Sequence, residues 1–325
     1  MQARSLVSIV IPAFNAERWL AHAVKSALDQ TWPWTEIVVV NDGSRDGTRA
    51  VAASFHSATV RVIDQANRGA AAARNRGFLE SRGEFIQYLD ADDLLDPRKI
   101  EVQMTRLTRE EPSCVAAGSW GRFHEDPWAA QFVRERAWAD LPPVDWLVCS
   151  WMGGGMMHPA AWLVPRDVIE RAGPWDETLT LNDDGEFFCR ALLRSRGVKF
   201  CGDARSYYRS GVAGTLSGSR SRVAYESAWR ATEACRRHLL ASEDSPRTRR
   251  AAADSFQRLA HQLHPTAPDL VRRAEARVRE LGGSDLPCDG GPTFRLVRSV
   301  VGWKIARRLQ RLRDRAQRGL LEARS

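Results

Sequence analysis

Three carboxylates stand within four residues at Asp90-Ala91-Asp92-Asp93, at the end of the apolar run Phe85-Ile86-Gln87-Tyr88-Leu89. Side chains alternate along an extended strand, so strand geometry carried to its end puts Asp90 and Asp92 on one side. Carboxylates that close repel unless a cation lies between them or one takes a proton. A hard divalent ion, Mn2+ or Mg2+, is held by one or two carboxylates together with phosphate oxygens of a substrate. An acidic turn leading into a helix at Asp96-Pro97 is the other reading of the same residues. A second acidic cluster, Asp183-Asp184-Gly185-Glu186, follows Asn182. It reads as a helix N-terminus, where carboxylates meet the positive end of the dipole, or as the seat of a general base.

The elements that must position these groups are legible from hydrophobic pattern. Strands are expected at 7–12, 36–41, 60–64 and 84–89, and helices at 16–30, 47–56, 69–82 and 97–109. Alternating strands and helices predict β-α-β units and a parallel sheet. In such sheets ligands sit at the carboxyl ends of the strands. The polar residues fall there: Asn15 and Glu17, then Asn41-Asp42-Gly43-Ser44, then Asn67-Arg68-Gly69, then Asp90 and Asp92. Further on, strands are expected at 115–120, 160–164, 198–201 and 205–208, with helices at 144–150 and 183–196. Seven of the twelve tryptophans lie between Trp120 and Trp175, and most of them should be core because each ring buries so much area. The expected organisation is an α/β domain over 1–216, a helical extension over 217–283, and a linker with a basic helix over 284–325.

Composition narrows the class. A hydrophobic share of 43% supports a packed core and argues against global disorder. No run approaches the ~20 apolar residues of a membrane span, and the start at Leu6-Val7-Ser8-Ile9-Val10-Ile11-Pro12 reads as a strand, not a secretion signal. Six scattered cysteines form no C-x-x-C pair, which fits reduced, mostly buried thiols in a cytoplasmic protein. The formal net charge is +8, and residues 294–319 hold nine Lys/Arg against one Asp, so the surplus sits in the tail.

Six ordered segments carry a resemblance. They are Val7-Ser8-Ile9-Val10-Ile11-Pro12-Ala13-Phe14-Asn15-Ala16-Glu17, Glu36-Ile37-Val38-Val39-Val40-Asn41-Asp42-Gly43-Ser44, Asn67-Arg68-Gly69 through Arg74-Asn75, Leu89-Asp90-Ala91-Asp92-Asp93, Gly173-Pro174-Trp175-Asp176-Glu177, and Asp183-Asp184-Gly185-Glu186-Phe187-Phe188-Cys189-Arg190. Together they resemble the inverting, nucleotide-sugar-dependent glycosyltransferases of family 2. The resemblance implies a GT-A fold, a Rossmann-like mixed sheet with helices on both faces, here followed by a helical C-terminal extension. It implies transfer of a sugar from a nucleotide donor, UDP-linked by preference, to an acceptor hydroxyl in polysaccharide, glycolipid or glycan synthesis.

The resemblance also distributes roles. Pro12, Phe14, Glu17, Asp42, Asn67, Gly69, Arg74 and Asp90 are expected around the nucleotide. Asp92 and Asp90 are expected at a Mn2+ or Mg2+ ion, whose charge offsets the diphosphate leaving group. Asp184 matches the family's general base, while Asp183 stands where the family carries a Glu. Asp183, Trp151 and Trp175 are expected on the acceptor side. Asp46 is better read as an Asx-turn residue. Members often carry a histidine shortly after a Tyr-Arg pair; here Tyr208-Arg209 is followed by Ser210-Gly211-Val212. His158 is a lone histidine in a loop and is not assigned to the metal.

Residues 294, 297, 301, 305, 309, 312, 316 and 320 are apolar at helical spacing, with Lys304, Arg308, Arg311, Arg315 and Arg318 mostly to one side. Such a helix either packs on the globule or lies on an anionic membrane, which would make the protein peripheral on the inner face of the plasma membrane. Gly302 weakens it at one point. Expected partners are the nucleotide-sugar donor and a glycan, lipid-linked or other hydroxyl acceptor. Nucleic acid is not expected, because the basic run lacks interleaved aromatics. Two rival readings are a nucleotidyltransferase, which would need a Gly- and Lys/Arg-rich loop where Asn15-Ala16-Glu17-Arg18 stands, and a degenerate membrane-bound scaffold.

Overall fold

A computed structural model of the chain describes residues 5–109, 112–211 and 220–322, with side chains as far as Arg313. The expected boundary after residue 216 lies outside the described residues, as do the side chains of Arg315 and Arg318.

The first part is the alternation that hydrophobic pattern dictates. Strand β1 (Val7–Ala13) leads to helix α1 (Leu20–Leu28), β2 (Thr35–Asp42) to α2 (Thr48–Ser54), β3 (Val60–Gln65) to α3 (Ala70–Glu80), and β4 (Phe85–Tyr88) through β5 (Leu94–Leu95) to α4 (Lys99–Leu107). Then come β6 (Val115–Phe123), α5 (Pro143–Cys149), β7 (Trp162–Pro165), α6 (Arg166–Ala172), α7 (Asp183–Arg194) and β8 (Val198–Arg209). The eight strands form one sheet in the order β3-β2-β1-β4-β7-β6-β8-β5. The block β3-β2-β1-β4 is parallel, and β7 joins it antiparallel. The two expected strands at 198–201 and 205–208 are one strand, β8, with an irregularity in its pairing where Gly118 and Ser119 of β6 face it.

The sheet is covered on both faces, and β1 shows how. Ile9 and Ile11 pack with α1 and α4, whereas Val10 packs with α3 and the aromatic half of the chain. Helix α3 approaches so closely that a Cβ at Gly77 would stand 2.3 Å from a Val10 methyl, so only glycine permits this contact.

Helices α8 (Arg222–Ser242), α9 (Pro246–Leu263) and α10 (Pro268–Glu280) share an apolar core built on Trp229, Phe256, Leu259, Leu263 and Leu270. Helix α8 packs along α7, so this unit backs the second acidic cluster. The last helix, α11 (Pro292–Glu322), is broken at Gly302, where φ is +77°. No helix among the described residues is long and apolar enough to cross a membrane.

Candidate active site

The parallel strands deliver four loops to one rim, and short polar links lace them together. The Asn15 amide donates to Ser44 Oγ at 3.0 Å and the Arg45 amide to Asn15 Oδ1 at 2.9 Å, which ties the loop after β1 to the loop after β2. Glu17 accepts from the Gly47 amide at 2.9 Å. Asp46 caps α2 by accepting from the Thr48 amide at 3.1 Å, as an Asx turn should. Phe14 is half-exposed on this rim. Pro12 is buried inside β1, one residue before the strand ends at Ala13, while Phe14 presents a face on the rim.

Asp42 ends β2 almost wholly buried, and its carboxylate is committed to the next loop. Oδ1 accepts from Gln65 Nε2 at 2.7 Å and from the Arg68 amide at 2.9 Å; Oδ2 accepts from the Gly69 amide at 2.8 Å. Asn67 donates to the Asp42 carbonyl at 2.9 Å. Asp42 therefore shapes the turn that starts α3. Gly69 sits there at φ +92°, a left-handed conformation favouring glycine, with open space where a side chain would be.

The strand before the acidic run stops at Tyr88, one residue earlier than strand alternation requires. Asp90–Asp93 form a turn closed by the Asp93 amide on the Asp90 carbonyl at 3.0 Å, so turn geometry, not pleat, orients the carboxylates. Each then meets a different fate. Asp90 Oδ1 accepts from Arg74 Nη2 at 2.7 Å. Asp93 is buried, accepting from the Arg209 amide at 2.8 Å and lying 3.0 Å from His158 Nδ1. Asp92 is half-buried, without an ion-pair partner among the described residues. Burial, then the charges of Asp93 and Asp90, push its carboxyl up to about 7.

His158 is not a free ligand. Nδ1 faces Asp93, Nε2 lies 2.9 Å from Ser206 Oγ, and both ring and partners are buried. Burial pushes its imidazole down to about 4, so it is neutral at ordinary pH. Arg209 is a positioning residue that sequence reasoning left without a role. Its Nε donates to the Asp92 carbonyl and its Nη1 to the His124 carbonyl, each at 2.9 Å. The guanidinium lies 4.0 Å from the centre of the Trp19 ring. The Tyr208-Arg209 pair was the available signal.

The second cluster opens α7, where a left-handed Asn182 (φ +62°) turns the chain. Arg74 joins it to the first. This buried guanidinium donates to Asp90 from one end and, through Nη1, to Asp183 Oδ2 at 2.9 Å from the other. Burial works against its charge, but Asp90 and Asp183 outweigh that and hold it protonated. Asp183 is thus a partner of Arg74. Asp184 is half-buried, its Oδ1 accepting from the Gly185 amide at 2.8 Å. Burial, then Asp183, push its carboxyl up to about 6, against the restraint of Arg74 and that amide.

Trp175 is corrected outright. It is buried, stacked on Phe187 with ring centroids 4.0 Å apart, and lies 4.4 Å under the Arg74 guanidinium. Asn75 pins its backbone with bonds of 2.8 and 3.0 Å. An aromatic ring this size is most stable in the interior, and it forms the floor under Arg74. Trp151 is partly buried, packed against both the aromatic core and the C-terminal helical core. Among the described residues no three His, Cys, Asp or Glu side chains form a ready metal cage.

The mixed sheet and its rim of carboxylates are those of a GT-A glycosyltransferase. Residues 8–170 match the model of "Glycosyl transferase family 2", half of the chain, and the chain belongs to that family. It is similar to the uncharacterized glycosyltransferase YibD of Escherichia coli, 32% identical over 52% of this chain and 51% of the relative. It is also similar to the putative glycosyltransferase EpsH of Bacillus subtilis, 29% identical over 62% and 60%. A Rickettsia felis glycosyltransferase is 30% identical over 60% of this chain but 32% of its own length. The chain thus spans less than two thirds of each of these relatives. Its fold is similar to the crystal structure of S. aureus TarS 1-349 in complex with UDP-GlcNAc, with a TM-score of 0.61, 16% identity, and coverage of 85% of this chain and 89% of that one.

Proposed function

We propose that this glycosyltransferase moves a sugar from a UDP-sugar to an acceptor hydroxyl with inversion, in cell-surface polysaccharide, glycolipid or glycan synthesis on the cytoplasmic side. One observation carries the reading. The acidic turn after β4 and the carboxylates opening α7 are held across a single guanidinium, Arg74, at 2.7 and 2.9 Å. An inverting transfer needs such a pair of stations, one for the leaving group and one for the attacking hydroxyl. The crystal structure of TarS with UDP-GlcNAc supports the choice of donor class.

Asp184 takes the proton of the acceptor hydroxyl as its oxygen forms a bond to the anomeric carbon on the face opposite the diphosphate. The bond from that carbon to the diphosphate oxygen breaks, and UDP leaves. A carboxyl held at about 6 is mostly ionised at neutral pH yet more basic than a free aspartate, which suits a base. Phe14 offers its face to the nucleobase, and Asn67 and Gly69 line the rim beside it. Asp92, with Asp90 beside it, is the group fitted to a Mn2+ or Mg2+ ion, because among the described residues its carboxylate makes no ion pair, whereas Asp90 is paired with Arg74 and Asp93 is turned inward to the Arg209 amide. Such an ion, when bound, neutralises charge growing on the departing diphosphate.

The test is a donor panel read by UDP release, run on the wild type and Asp184→Asn. The variant should lose transfer while binding UDP with near-normal affinity by calorimetry. Turnover surviving in Asp184→Asn would remove the base assignment, and absence of UDP binding with and without Mn2+ would remove the donor.

A further inference from the structure

Helix α11 has two unlike faces. Inward, Phe294 and Ala306 are buried, and Trp303 meets the rings of His261 and His264 at centroid distances of 4.6 and 5.2 Å. Lys304 reaches Glu275 at 2.6 Å, and Arg307 donates to the Asp289 carbonyl at 2.9 Å. The helix is therefore docked on α9 and α10. The outward face is apolar, the reverse of an ordinary surface helix. Leu296, Val300, Val301, Ile305, Leu309 and Leu312 are six of the fourteen large apolar side chains exposed among the described residues. Ile305, Leu309 and Leu312, all after the break at Gly302, follow one another at steps of four and three, which is one stripe. Single exposed apolar residues are ordinary, but a contiguous stripe marks a contact surface. The expected single apolar face of the tail is divided. The break at Gly302 leaves Phe294 and Val297 packed inward, and turns the stripe after it outward.

Charge chooses the partner. Arg308 is exposed inside the stripe, and Arg295 and Arg313 are exposed elsewhere on the same element. An apolar protein groove would have to bury Arg308 among apolar groups. A sheet of anionic headgroups over acyl chains receives both kinds of side chain at once, the stripe below and the cations at the level of the phosphates. We propose that α11 seats this protein on an anionic phospholipid bilayer, with Leu309, Ile305 and Leu312 entering the acyl boundary and Arg308 at the headgroups. The proposal is independent of the sugar-transfer reading.

The experiment is co-sedimentation of the full chain with vesicles of phosphatidylcholine alone or mixed with phosphatidylglycerol, at low and high salt. The wild type should pellet with the mixed vesicles at low salt and be released at high salt. Arg308→Gln should weaken that affinity about fivefold, the worth of one interfacial cation. Leu309→Ser should weaken it roughly tenfold through lost apolar burial. Both positions are exposed, so the circular dichroism spectra should match the wild type. Failure to pellet with either vesicle would overturn the proposal. So would binding to both vesicles that ignores salt and Arg308→Gln, or a dimer seen by light scattering that Leu309→Ser dissolves.

Discussion

Replacing Arg74 with methionine should separate the two acidic clusters and do so in a pH-dependent way. Methionine keeps much of the side-chain volume over Trp175 but removes the charge and both donors. Arg74 is 6% exposed, with Asp90 at 27% and Asp183 at 12% by side chain, so the pairs are largely out of water. Removing one partner of a buried ion pair costs about 3–5 kcal/mol. The partial exposure of Asp90 places this case near the lower figure. The sign with pH follows from Asp184, which Arg74 holds down. Its folded carboxyl already lies above the ordinary aspartate range, so it costs stability as pH rises through about 6. Without Arg74 that carboxyl moves higher still and the cost grows. The penalty in Arg74→Met should therefore be smaller near pH ~5 than near pH ~8, by the proton-linkage relation. Urea midpoints of both proteins across that range measure it, with donor turnover recorded in parallel. A variant as stable as the wild type at the alkaline end, or a penalty that does not grow with pH, would refute the bridging role.

Other outcomes follow from the same geometry. The turnover of the wild type should rise with pH through an apparent pKa of about 6 as Asp184 loses its proton, and a flat profile across that region would contradict its role as base. Asp42→Asn turns an NH2 group toward either the Gly69 amide or the Arg68 amide and Gln65 Nε2, and should cost about 1–3 kcal/mol without any ligand; unchanged thermal stability would return the carboxylate to a purely nucleotide-directed role. Asp92→Asn should abolish any strengthening of UDP binding by Mn2+, and a chelator should stop wild-type turnover. A Mn2+ response that survives the substitution would remove Asp92 from the ion.

The parallel half of the sheet was legible because its strands are short runs rich in Val and Ile with polar residues close after them, a local signal. The two-residue β5 and the seven-residue α6 are too short to show a period, and both escaped. The site residues divide in the same way. Asp184 and Asp92 stand out by type and place, at a helix start and a strand end. Arg74 looked like a nucleotide ligand because residue type shows a cation but not its partner. Its partner Asp183 lies 109 residues away and is brought near only by the tertiary fold. Trp175 was misplaced for a related reason: an aromatic near a motif reads the same whether its face meets a sugar or, as here, Phe187 and a guanidinium.

The run Asp90-Ala91-Asp92-Asp93 resolves by subtraction. Asp90 is matched by Arg74, and Asp93 is drawn inward by the Arg209 amide beside a neutral His158. Among the described residues that leaves the Asp92 carboxylate without an ion pair, and Asp184 feels the charge of the same Arg74 bridge. The charges around Arg74 then do not cancel: Asp90, Asp183 and Asp184 meet one buried guanidinium, while Arg209, whose charge favours the ionised Asp92, directs Nε and Nη1 to carbonyls. An anionic diphosphate entering such a site would be repelled unless a cation came with it. The proposed divalent ion rests on this balance, and so does its dependence on Asp92, the carboxylate of that turn that makes no ion pair among the described residues.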